Sequence, residues 1–242
     1  MRAERRRWPS IAPVIRPVLV DKVPRDHLQS DAAFRRRRIV VVIVLVAGAA
    51  LLGVSLSVPP GATAFYPLTF GLAALWAVGA FASGRLHLGR IPFRGSLRRP
   101  IISPVILGLV AAAVFVAGAL VIREIPLLRD FTDSVLDHAR SGSLPLVLAV
   151  TVVNGVAEEL FFRGALFAAI GVRHPVLIST LVYALATLAT GNPMLVFAAL
   201  LLGLVLGLQR RASGGILGPI ITHVTWSTTM LLLLPLLIRS GG

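Results

Sequence analysis

Seven runs of apolar residues, set apart by short polar stretches, organise this chain. They lie near 39–58, 62–83, 101–122, 144–163, 175–190, 193–209 and 215–238, the fourth continuing as helix to about 170. Most are long enough to cross roughly 30 Å of hydrocarbon as a helix, although 175–190 and 193–209 are short for it. Pro59-Pro60-Gly61 turns the first pair and Gly191-Asn192-Pro193 the fifth and sixth. The pattern predicts an all-α fold, a polytopic membrane helix bundle of about seven transmembrane helices over residues 39–242. Residues 1–38 read as a basic cytoplasmic arm, with Pro9, Pro13, Pro17 and Pro24 spaced too closely for a long helix. Between the third and fourth runs, Phe131, Val135 and Leu136 interleave with Asp130, Asp133 and Asp137. That spacing suggests a short amphipathic helix on the membrane surface, or a solvated connector.

Polar residues inside an apolar run call for a reason. The fourth run holds Glu158, Glu159 and Arg163. Three charges near the centre of a helix cost roughly 7–10 kcal/mol to insert, and the Leu, Val and Phe residues around them return only about 3–7. This helix therefore belongs inside a bundle, its polar side turned to partners or to a wet cavity. Glu159 and Arg163 are four apart with the acid first, the favourable order for an ion pair. Glu158 points about 100° away around the helix and shares a face with Asn154 and Thr151. An unpaired, partly desolvated carboxylate in that position suits general acid–base work. The alternative is a buried ion network that only fixes helix register.

The seventh run carries His223 and, one turn later, Ser227. At 1.5 Å per residue, His223 sits roughly 12 Å from the inner end of its helix and Glu158 roughly 8 Å from Arg163, so the two can meet in the inner half of the membrane.

Composition sharpens the topology. The net charge of +14 is almost all arginine, with Lys22 the one lysine. Eleven cationic residues lie in 1–38, five in 85–99, and Arg163, Arg173, Arg210 and Arg211 follow, making 20 of the 24 on one side of the predicted topology. This fits the positive-inside rule with the N-terminus inside and the C-terminus outside. The charge is thereby explained without nucleic acid, and the arm becomes a candidate contact for anionic lipid. An Arg-, Ala- and Gly-rich usage suggests a bacterial source and its plasma membrane. The chain has no cysteine, which removes disulfides, thiolate ligands and cysteine nucleophiles. A catalytic zinc commonly takes three protein ligands, and one central histidine leaves that set short, so neither a metal nor another cofactor is expected.

Glu158-Glu159-Leu160-Phe161-Phe162-Arg163 resembles the EExxxR motif of the CAAX prenyl protease type II and bacteriocin-processing family, called CPBP or ABI. Pro219 shortly before His223 on a late helix is similar to the family's last motif, and the resemblance covers roughly 144–237. It implies an intramembrane endopeptidase acting on a membrane-associated protein or peptide. By the resemblance, Glu158 is the base that activates water, Glu159 and Arg163 support it, and His223 donates to the oxyanion. Two positions depart from the pattern. The middle motif, an aromatic followed four residues on by His, is here Tyr183 followed by Thr187, and the oxyanion Asn is Ser227. A missing base costs about 10²–10⁴ in rate and a missing oxyanion donor about 10²–10³. The alternative is a catalytically impaired relative that binds peptides in the same cavity, and a third reading is a small transporter component.

Overall fold

The computed structural model describes residues 15–24, 27–93 and 95–238. Much of the predicted arm, 1–14 with Pro9 and Pro13, lies outside the described residues. After a π-helical turn at Arg16–Val20, eight longer helices follow in order. Helix α1 spans Asp31–Ser57, α2 Phe65–Ser83, α3 Ile102–Ile122, α4 Pro126–Arg140 and α5 Leu144–Ile170. Helix α6 spans Pro175–Thr187 and tightens into a 3₁₀ turn over Leu188–Thr190, α7 spans Pro193–Ser213, and α8 spans Leu217–Leu237. Six of these are long and apolar enough to cross a membrane, and Pro175–Thr190 is a shorter apolar helix. The chain is a polytopic helical membrane bundle of about seven spans.

Capping explains several boundaries. Helix α1 starts at Asp31, inside the predicted arm, because the Ser30 hydroxyl accepts from the Ala33 amide and opens the helix before the apolar run begins. Asn192 caps α7, its Oδ1 accepting from Met194 and Leu195 amides. Pro126, Pro175 and Pro193 each sit in a first turn, where the missing N–H is harmless.

Small residues let the helices approach closely. A Cβ on Gly108 would meet Thr225 and the Thr222 carbonyl, so α3 and α8 touch backbone to backbone. Gly203 and Gly207 of α7 face Thr180, Tyr183 and Val176 of α6. The core sits where α1, α2 and α5 meet around Trp76, Phe161 and Phe162. Outward positions such as Val42 and Val46 of α1 are well exposed, as a lipid-facing surface requires.

The two ends of the bundle differ. At the arginine-rich end, residues 84–90 lie across the ends of α7 and α8: Arg90 N–H donates to the Ser213 carbonyl, and Ile216 and Leu217 donate to the His87 and Leu88 carbonyls. A two-stranded hairpin, β1 Ile91–Phe93 with β2 Ser96–Arg98, follows; Ile91 stands opposite Arg98. The hydrophobic pattern gave no sign of it. The described part of the arm also docks here, with Val18 and Val23 buried and the Val23 amide on the Ala212 carbonyl. At the opposite end α4 lies over the bundle. Its Phe131 carbonyl accepts from Asn192, its His138 Nε2 meets the Val58 carbonyl, and its Arg140 donates to the Ile238 carbonyl. The Asp130–Asp133–Asp137 segment is thus the amphipathic helix.

Candidate active site

The fourth run is one helix, but not a uniform one. From Leu160 to Leu166 it widens into a π-helix. Such turns are rare and occur often at functional sites. Glu158 and Glu159 are the last residues before it, so the acidic pair sits where the helix changes its winding.

Glu159 is fully buried. Its Oε1 accepts from Arg163 Nη1 at 2.9 Å and from His223 Nδ1 at 2.8 Å. An ionised carboxylate can only accept, so Nδ1 carries the hydrogen. That leaves Nε2 of His223 for the space in front of it. Arg163 is 1% exposed, and its guanidinium lies over the Tyr183 ring, 4.7 Å from the centroid. Its backbone carbonyl accepts from Arg210 Nε at 2.7 Å. Glu158 takes the other direction: its Oε2 accepts from the Tyr183 hydroxyl at 2.6 Å, and among the described residues Oε1 has no hydrogen-bond donor.

The sequence reading placed His223 near Glu158; the structure bonds it to Glu159. The two are nevertheless neighbours across one hollow of about 220 Å³, lined by Glu158, Tyr183, Thr187, His223, Trp76 and Trp226 among others. Thr187 lines it too, but its Oγ1 is spent on the Tyr183 carbonyl at 2.8 Å. Asn154 and Ser227 do not line it. Asn154 Nδ2 donates to the Val150 carbonyl, and Ser227 Oγ donates to the Val224 carbonyl. Ser227 instead faces a second, apolar hollow of about 450 Å³ between α3, α4, α5, α7 and α8. The reason is helical phase: Trp226, one residue earlier, occupies the wall shared by both hollows. Among the described residues no group of three or more His, Asp or Glu side chains is arranged to hold a metal ion.

Two features were not foreseen. Trp226 reads in sequence as one more packing residue. Arg210 reads as an edge charge, yet it is buried against the Arg163 carbonyl; a carbonyl partner leaves no trace in a sequence.

A carboxylate and an imidazole on apolar helices, each fixed by other side chains and sharing one hollow, form a polar site inside the helical bundle that has the groups acid–base chemistry needs. Residues 140–229, a stretch shorter than half the chain, match the family model described as Type II CAAX prenyl endopeptidase Rce1-like. The match is similar in extent to the CPBP resemblance carried by Glu158, Glu159, Arg163 and His223, all of which lie within it. No curated protein and no solved structure matches the chain.

Proposed function

We propose that this protein is an intramembrane endopeptidase that cleaves a membrane-associated protein or peptide. Glu158 Oε1 takes a proton from water as the water oxygen adds to the scissile carbonyl carbon. The carbonyl π bond breaks, and the resulting oxyanion is held by His223 acting as an imidazolium, whose Nδ1–H stays on Glu159 while its Nε2–H donates to the oxyanion. Collapse re-forms the carbonyl, breaks the C–N bond, and passes the proton from Glu158 to the leaving amine. Tyr183 orients Glu158. Glu159 fixes the ring of His223, and Arg163 balances its charge. The observation that carries this reading is the division of the acidic pair: Glu158 and His223 each keep one heteroatom for the hollow, while Glu159 holds the imidazole from behind.

Thr187 brings no base and Ser227 no donor, so turnover is expected to be slow. The reaction as written uses no cofactor. We also place the protein in a bacterial plasma membrane with the arginine-rich end in the cytoplasm. The exposed Arg35, Arg36 and Arg38 then meet anionic lipid there.

The test is proteolysis by purified, reconstituted protein on a quenched peptide library, with Glu158→Gln as control. Cleavage that vanishes in the variant supports the reading. Peptide binding without turnover, unchanged in the variant, replaces it with a non-catalytic binder.

A further inference from the structure

We infer that the acidic hollow is entered from the α4 end of the bundle, opposite the arginines, so that the substrate is a polypeptide segment on the outer, extracytoplasmic side. The substrate part rests on the endopeptidase reading; the route of access does not.

Four helices that wall the site, α5 to α8, differ between their two directions. Towards the arginine-rich end the described residues next to the site are buried. Beyond Glu158 on α5 come Phe161 and Ala165, neither with any exposure. On α6, Thr180 lies buried on that side of Tyr183. On α7 the corresponding residues are Leu206 and Gln209, and on α8 Thr222, fully buried beneath His223. Below them, residues 84–90 and the docked arm cover the ends of α7 and α8 through main-chain hydrogen bonds.

In the other direction the hollow continues. Its walls run to Leu56 near the end of α1, Thr190 at the end of the 3₁₀ turn, and Leu195 in the first turn of α7. These three residues also wall a further cavity of about 250 Å³, completed by Val58, Pro59 and Pro60 and by Ser134 and His138 of α4. Adjoining hollows therefore lead from Glu158 to the surface between the first helical turn and α4. With the arginines inside, that surface is outside. A cytoplasmic chain end would have to pass the buried layer of six side chains and the main-chain plug.

The chain has no cysteine, so single substitutions report access cleanly. Thr187→Cys and Ala198→Cys sample the hollow; Ser141→Cys marks the α4 end and Ser96→Cys the hairpin. Right-side-out and everted vesicles are treated with a membrane-impermeant thiol reagent. Both hollow positions are expected to react from the side that labels Ser141→Cys, and to be protected from the side that labels Ser96→Cys. Reaction from the Ser96→Cys side, or from neither side, overturns the proposal. A second arm seals an impermeant peptide substrate against one face of oriented proteoliposomes. Glu158-dependent cleavage is expected on the α4 face. Cleavage only on the hairpin face overturns the proposal. Labelling from the α4 side with no Glu158-dependent cleavage of any peptide leaves the route standing and retires the endopeptidase reading.

Discussion

Glu159 is the residue on which the site turns, because one of its oxygens serves both Arg163 and His223. Removing one member of such a buried group strands the others. Arg163→Met should cost about 3–5 kcal/mol through the unpaired carboxylate it leaves, read as a lower midpoint of thermal unfolding in detergent. Thr187 is the opposite case, a place where a group is missing. Its hydroxyl faces the hollow's wall and is tied to the Tyr183 carbonyl. Thr187→His should supply the second base and raise kcat, within the roughly 10²–10⁴ that a positioned base contributes, measured on a peptide that the Glu158→Gln protein leaves intact. At this scale the sequence was half legible. Spacing along one helix revealed the Glu159–Arg163 pair, since both partners lie on it. It could not say which carboxylate the His223 ring would meet, because that depends on the phase of α8 against α5. The same phase turns Ser227 into the apolar hollow and brings Trp226 to the acidic one.

Among the elements, α4 shows how one side chain can join two. Asn192 caps α7 through Oδ1 and holds the Phe131 carbonyl and the Ser134 hydroxyl of α4 through Nδ2. Asn192→Ala should cost about 0.5–2 kcal/mol for the lost cap. It should also speed amide hydrogen exchange over Pro126–Arg140 more than over α3, as measured by mass spectrometry. The spacing of Asp and apolar residues left α4 open between an amphipathic helix and a solvated connector, and the structure shows the helix; the Pro- and Gly-containing turns between spans were readable in advance. The π-helical turn of α5 was not readable. Leu160–Leu166 is an ordinary helical sequence, and its distinguishing contacts are tertiary: Phe161 and Phe162 against Trp76, the Arg163 guanidinium over the Tyr183 ring, and the Arg163 carbonyl on Arg210. The hairpin was missed for a related reason, since strands of three residues carry no periodicity.

For the whole molecule, the distribution of arginine is the main constraint. Seven spans with both charge-poor and charge-rich ends predict that a reporter active only outside the cell works when fused after Leu237 and fails when inserted at Ser96. A working reporter at Ser96 would reverse the orientation assigned above. Hydropathy and charge together made the span count and order legible, because each run must satisfy the bilayer by itself. They did not reveal that the arginine end is closed. That closure comes from backbone meeting backbone: a side chain on Gly215 would collide with Leu88 and Gly89, and the strand of chain at 84–90 bonds to residues on both sides of it. The contact joins residues 87–90 to residues 213–217, far apart along the polypeptide. While the ribosome is still making α7, the segment after α2 has nothing to settle on, and it cannot complete its hydrogen bonds to Ile216 and Leu217 until the start of α8 has emerged. Maturation of this protein is thus ordered from its tail, with the segment after α2 waiting on the latest helix.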